Sequence, residues 1–472
     1  MRNIIIFLGI VSLTICLREV PQDYTLIFKE DFSSIEKLQQ NWNFEIGNGV
    51  NGWGNWEKQY YRTSEENVFV KDNQLHIKAL NKNIQNYKYT SARLTTKNTF
   101  EFAYGYVKTR IKLPKVLGSW PAFWMLGQNF EEIGWPKCGE IDIVESVNDN
   151  DIIKSYLHWF DDGTGKGGDH GSNTQIQNKD QFHIYEMFWD KSYIKVFIDG
   201  TQNFIIDIAN IHTNAFTKQF YFLINIAVGG TLPGNQIDNS KFPLEMIVDY
   251  IEVYQKNNEL NYKYNPKSLI YNQQNQKITL NDGRLYYPFF KYGELRMKLA
   301  FPRVKGYTSK VYLFNRDRYS KKGDTIIIDT EGNYGEIAFA FIKDDSNTIT
   351  SGTKWKEGDS YSLVEIDDVT QLNEYLFLWN EKSIKIYVND IETYKIDITS
   401  KPDLKQYYIF NAFIEQNSNN NNNAPEIVLQ NLKLFQYVKD TIDSVPEIPD
   451  IPEVNGAKLM GYIWLLFLLL FI

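Results

Sequence analysis

Alternation of apolar and polar residues with a period of two is what most restricts this chain. Residues 67–71, 74–79, 106–113 and 193–198 all read this way. Successive side chains of a strand point to opposite faces, so such runs fit strands with one face in a core. Asp199-Gly200 and Pro233-Gly234 supply turns between them. From Tyr24 to Tyr254 no amphipathic helix with capping residues stands out. Many short antiparallel strands close into a sandwich or barrel, so an all-β sandwich is expected. Aromatic residues make up 15% of the chain. They suit a pleated surface and also stack on the C–H faces of sugar rings.

The second half echoes the first in order. Tyr104 to Leu113 returns as Tyr292 to Leu299, Phe188 to Asp199 as Leu378 to Asn389, and Gln219 to Asn225 as Gln406 to Asn411. A duplicated, degenerate β-sandwich repeat is therefore expected over 265–438. A chain of 472 residues has room for both sandwiches. Net charge is −8, and no basic block or stripe marks a nucleic-acid partner.

The ends read as addresses. Met1-Arg2-Asn3 followed by the apolar run Ile4 to Leu17 has the order of a signal peptide, assigned to residues 1–20. Pro446, Pro449 and Pro452 among acidic residues make 439–457 a semi-rigid linker. The apolar tail 458–472, behind Asn455-Gly456-Ala457, has the order of a GPI-attachment signal. A hydrophobic tail anchor is the alternative. A secreted monomer is expected, touching a membrane only through this C-terminal anchor. Cys16 leaves with the leader, so Cys138 remains without a disulfide partner and reads as packing.

The chemical signal is Gly139-Glu140-Ile141-Asp142-Ile143-Val144-Glu145. In a regular strand Glu140 and Asp142 share a face and Glu145 points the other way. One extra residue between Asp142 and Glu145, a β-bulge, would return Glu145 to the shared face. Three acids on one face repel each other, and an ordinary surface strand gains nothing from that. Glycoside hydrolysis does gain, because it needs one ionised carboxylate and one protonated carboxylic acid side by side. Negative neighbours raise a carboxyl pKa, so Glu140 and Asp142 are expected to hold the proton on Glu145.

The run Trp135 to Glu145 resembles the active-site strand of glycoside hydrolase family 16, in its laminarinase-like branch. Gly52-Trp53-Gly54-Asn55, Gln59-Tyr60-Tyr61, Tyr89 to Arg93, Ser119 to Leu126, Leu157-His158-Trp159, Ala227 to Gly230 and Val248 to Tyr254 extend the likeness along 23–256. The resemblance implies a concanavalin-like β-jelly-roll with a long open cleft and retaining endo-hydrolysis of β-1,3-glucan. It makes Glu140 the nucleophile, Asp142 its helper and Glu145 the acid/base. It puts His158 near Asp142 or the sugar. It also implies a structural calcium ion with Asp249 as a ligand; no other cofactor is expected.

Trp120, Trp124 and Trp135 flank the carboxylate strand and are the expected sugar-stacking platforms. Trp189 lies in the repeated strand and reads as core. Arg93 would hydrogen-bond a sugar hydroxyl or form a surface ion pair. The Gly- and Asp-rich run 161–171 reads as a mobile loop at the cleft rim. In the second half Gly323 to Asp329 takes the place of the carboxylate strand, with Ile326 for the central acid, so that sandwich is expected to be a spacer or a glucan-binding module. Within enzymes, a transglycosylase or cleavage of another polysaccharide such as a galactan remains open. A non-catalytic glucan-recognition protein is the alternative outside enzymes.

Overall fold

The computed structural model describes residues 20–264 without a break. Beyond them it describes the strands between Ser268 and Gln436, with side chains most completely over 292–303 and 359–401. Residues 1–19 and 437–472 lie outside the described residues, and with them the expected leader, linker and tail. The chain divides into two compact units, one ending at Lys267 and one beginning at Ser268.

The first unit is a sandwich of two antiparallel sheets. One sheet runs in spatial order Thr201–Asp207, Tyr193–Ile198, Phe182–Trp189, Gly105–Lys112, Leu244–Lys256, Gln74–Ala79 and Val68–Lys71. The other runs Lys166–Gln175, Ile152–Asp161, Glu140–Glu145, Ser119–Gly127, Phe220–Val228, Arg93–Thr95 and Asn43–Glu45. Their inner faces share one core. Phe28 stacks on Phe100 at 4.2 Å between ring centroids, and Phe123 on Phe222 at 5.0 Å. Each such ring removed from water contributes roughly 1.5–3 kcal/mol. Phe220–Val228 is buried along its whole length, which explains its nearly unbroken apolar run.

Two local expectations are corrected. A seven-residue helix, Ile35–Asn41, does form, with Ser34 capping it through Oγ, which accepts from Lys37 N at 3.2 Å. It is too short for its apolar period to stand out. The run 161–171 is not a rim loop throughout. A turn leads into the strand Lys166–Gln175, paired with Ile152–Asp161. Its glycines make room for rings, because a Cβ on Gly168 would lie 2.7 Å from the Trp159 indole and one on Gly171 2.3 Å from the Tyr156 ring.

The second unit repeats this strand order. Among the described residues, one sheet runs Ile391–Asp397, Ser383–Val388, Asn373–Trp379, Gly293–Ala300 and Ile427–Gln436, with Ser268–Asn272 and Ile278–Leu280 both on the last strand. The other runs Gly358–Glu365, Thr348–Trp355, Glu336–Lys343, Tyr307–Asn315, Tyr408–Gln416 and Leu285–Tyr286. The likeness reaches details. Tyr104 and Tyr292 both take positive φ, 64° and 49°. Their rings meet Trp189 and Trp379 edge-on at 5.3 Å and 5.0 Å. Asp199-Gly200 and Asn389-Asp390 make matching hairpin turns with positive φ at both positions.

The topology corrects which strand of the second unit matches the carboxylate strand. It is Glu336–Lys343, not the run Gly323 to Asp329, whose strand Thr325–Ile328 forms a separate hairpin with Tyr319–Lys322. In the first unit Asp142 lies opposite Tyr156 and Glu145 opposite Lys154, with one residue extra between them. In the second, Ala338 lies opposite Gly352 and Phe341 opposite Thr350, with the same extra residue. Glu336, Ala338 and Phe341 thus stand where Glu140, Asp142 and Glu145 stand. The third sequence echo is displaced as well. Asn411 faces Tyr312 as Leu223 faces Trp124, so it does not match Asn225. Alternation cannot distinguish registers that differ by two residues, and a strand that has lost its acids carries no chemical marker.

Trp189 and Trp379 are each 1% exposed. Trp189→Ala and Trp379→Ala are each expected to cost about 3–5 kcal/mol. In thermal unfolding of the full chain, each is expected to lower the transition of its own unit and leave the other in place.

Candidate active site

The carboxylate strand carries the bulge that the spacing required. Ile141, Ile143 and Val144 are all fully buried in the main core. Two consecutive residues facing inward take up the extra position. Glu140, Asp142 and Glu145 therefore all lie on the sheet face turned away from that core. The register shift shows on both sides, between Phe123 and Trp124 on one neighbour and between Asp142 and Glu145 against the other.

Each carboxyl has its own partner. The Trp135 indole N–H donates to Glu140 Oε2 at 2.6 Å. The Trp120 indole N–H donates to Glu145 Oε1 at 2.8 Å. His158, opposite Glu140 in the register, holds Nε2 3.4 Å from Asp142 Oδ2. Single ligand atoms of Glu140, Asp142 and His158 lie within 4.8 Å of one another. Trp135 is 56% exposed, while Trp120 and Trp124 are half-buried.

On one flank an indole–arginine stack stands beside the acids. Arg93 is buried, its Nε donating to Glu45, with its guanidinium carbon 4.3 Å from the Trp53 ring centroid and 4.9 Å from that of Trp124. It forms a buried ion pair rather than a surface one. Burial works against its charge, but Glu45, Tyr61 and Glu57 outweigh it and hold the proton more firmly than usual. Sequence reasoning missed the support beneath. Trp124 Nε1 donates to Asn225 Oδ1 at 2.9 Å, and Asn225 Nδ2 donates to Tyr61 Oη at 3.0 Å. Tyr61 Oη and Gln59 Nε2 donate to Glu57 Oε2 at 3.2 and 2.6 Å. The signal available was Glu57, Gln59 and Tyr61 at alternate positions, which share a face of an extended chain. On the other flank Lys154 Nζ lies 4.7 Å from the Tyr156 ring centroid and donates to Asn173 Oδ1 at 3.0 Å.

The family model for glycosyl hydrolases family 16 matches residues 56–252, entirely inside the first unit. The β-glucanase of Rhodothermus marinus is 35% identical over 242 residues, which is 48% of this chain and 82% of that protein. The chain belongs to glycosyl hydrolases family 16. The glucan endo-1,3-beta-glucosidase of Cryptopygus antarcticus is 32% identical over 230 residues, 45% of this chain and 83% of that protein. The clotting factor G alpha subunit of Tachypleus tridentatus is 36% identical over 245 residues, 51% of this chain. The match spans only 35% of that subunit's length.

One family-based expectation, a calcium ligand at Asp249, does not fit the local geometry, whereas Cys138 packs as its sequence context suggested. Asp249 sits in the other sheet, where Oδ2 accepts from Arg110 at 2.8 Å and Oδ1 from Gln74 at 2.9 Å. A guanidinium already supplies the positive charge there, so these residues do not fit a calcium ion. Cys138 packs with Leu126, Tyr221 and Leu223, and burial pushes its thiol up to about 12. It is no nucleophile at neutral pH.

Burial, more than neighbouring charge, raises the pKa values of the family 16 carboxyls. It raises Glu140 well above the carboxylate range, with Asp142 and Glu145 adding to it and His158 and the Trp135 N–H opposing. It raises Asp142 likewise, helped by Glu145 and opposed by a hydrogen bond with Glu140. Glu145 is raised by burial against the Trp120 N–H, His158 and Lys154. The expectation that Glu140 and Asp142 hold the proton on Glu145 is thus corrected, since burial is what raises it. The Trp120 N–H favours the charged form of Glu145, so removing it favours the acid. Trp120→Phe is expected to raise the Glu145 pKa further. Carboxyl carbon NMR titration measures it; an unmoved pKa would contradict the assignment.

Proposed function

We propose that this protein is a retaining endo-glycosidase that hydrolyses β-1,3-glucan. One observation carries the reading. The bulge between Asp142 and Glu145 turns three carboxyls to the same open face, each held by a different partner. Glu140 attacks the anomeric carbon as the nucleophile. Glu145 gives its proton to the leaving oxygen, then takes one from the incoming water. Asp142, hydrogen-bonded to Glu140, orients it. Burial supports the acid role, because it keeps Glu145 protonated nearer to neutral pH than an exposed glutamate.

The name of the Cryptopygus relative supports a β-1,3-linked glucan as substrate, and that of the Rhodothermus relative a β-glucan. Trp135, Trp120 and Trp124 are the stacking platforms in this reading, and His158 a polar contact. Arg93 is a positioning residue that braces Trp53 and Trp124. The apolar runs at both ends of the chain support action outside the cell, at its surface.

Laminarin incubated with the full chain is expected to give short oligosaccharides, first released as the β-anomer by proton NMR. Glu140→Ala is expected to lose activity by about 10⁴-fold or more, and azide to restore it by forming an α-glycosyl azide. Full activity in that variant would refute the assignment. Products longer than the starting chains would make the enzyme a transglycosylase.

A further inference from the structure

The second unit keeps the architecture of the first and loses two of its three acids. Register places Ala338 and Phe341 where Asp142 and Glu145 stand, and Lys354 where His158 stands. Of the three carboxyls only Glu336 has a counterpart position. With Ala338 and Phe341 at the positions of Asp142 and Glu145, the strand does not supply the second carboxyl of the two-carboxylate reaction. The bulge nevertheless remains. That device turns a side chain toward the open face, and a strand serving only as a spacer has no use for it.

One further element is kept, and it is an aromatic ring. In the first unit Tyr156, opposite Asp142, lies across Gly171 of the adjacent strand. It runs nearly parallel to the His158 ring, 13° between planes. In the second unit the same cross-strand pair is Gly352 and Tyr361, with the two residue types exchanged. A Cβ on Gly352 would lie 2.3 Å from the Tyr361 ring, matching the 2.3 Å between a Gly171 Cβ and Tyr156. A tyrosine ring thus lies flat on the same patch of both sheets, supplied from opposite strands.

The face this ring occupies is the one equivalent to the carboxylate face. Ser351 and Thr353, on either side of Gly352, are buried against Thr393 and Tyr394 of the other sheet, so Gly352 and Tyr361 face outward. Tyr361 is 46% exposed and Leu363, two residues on, is 71% exposed. A flat, wet ring with an apolar neighbour on a polar strand offers the surface that the C–H face of a pyranose covers.

We propose that the face of the second unit around Tyr361 and Leu363 is a non-hydrolytic binding site for the same β-glucan that the first unit cleaves. The duplicated sheet, the retained bulge and the ring kept at the same register favour this occupant. The identity of the glucan rests on the proposed activity of the first unit. Two sites on one chain hold an extended or particulate polysaccharide more firmly than either alone.

The test uses the full chain carrying Glu140→Gln, so that bound glucan is not consumed, and sedimentation with particulate β-1,3-glucan. Adding Tyr361→Ala and Leu363→Ala is expected to weaken binding about tenfold, equivalent to about 1.4 kcal/mol. Tyr361→Trp, which keeps a stacking ring, is expected to retain it. In the otherwise native chain, Tyr361→Ala is expected to slow release of sugar from particles and leave hydrolysis of soluble laminarin oligosaccharides unchanged. Undiminished binding in the double alanine variant would overturn the site, as would failure of Tyr361→Trp to bind. A parent chain that binds particles through Tyr361 but cleaves no laminarin would overturn the proposed activity and leave the site standing.

Discussion

One inserted residue organises the chemistry of this molecule. Without the bulge between Asp142 and Glu145, the pleat would send Glu145 into a core packed with Phe and Ile. An ionised carboxyl there, without a partner, would cost more than a strand could recover. With the bulge, Ile143 and Val144 both face the core and Glu145 joins Glu140 and Asp142 outside it. The apolar side of the strand is thus as necessary to the site as the acidic side. Packing anchors the backbone on one face, and this rigidity lets three mutually repelling groups be held on the other.

The same division runs through the flank of the site. Arg93 is a buried charge, and removing one partner from such a group leaves an uncompensated charge behind. Glu45 supplies the ion pair, and two indoles cover the faces of the guanidinium. Trp124 is in turn tied to Asn225, Tyr61 and Glu57 by a chain of hydrogen bonds. An aromatic platform placed this way loses little freedom when a sugar lands on it, because its rotamer is already fixed.

The second unit separates what the fold needs from what the reaction needs. Tyr292 on Trp379, the paired positive-φ hairpin turn and the strand order all persist. The acids at two of the three positions do not. Core packing and turn geometry constrain every copy of a sandwich, whereas carboxyls constrain only the copy that uses them.

Much of this was legible in the chain itself, for a local reason. Strand identity follows from alternation, the hairpin turns from Asp199-Gly200, and the need for a bulge from the odd spacing of Asp142 and Glu145. These are properties of neighbouring residues. The match of Glu336–Lys343 to the carboxylate strand, the Glu57–Tyr61–Asn225 chain beneath Trp124 and the burial of Arg93 were not. Pairing register, and contacts between residues more than a hundred positions apart, are set by which strands lie side by side, and alternation is silent on that. The sequence by itself determined that the chain forms sheets and that one strand bears three converging acids. Only the tertiary structure decided what surrounds those acids, because desolvation, which raises their pKa values, is a property of the assembled sheet and not of any segment.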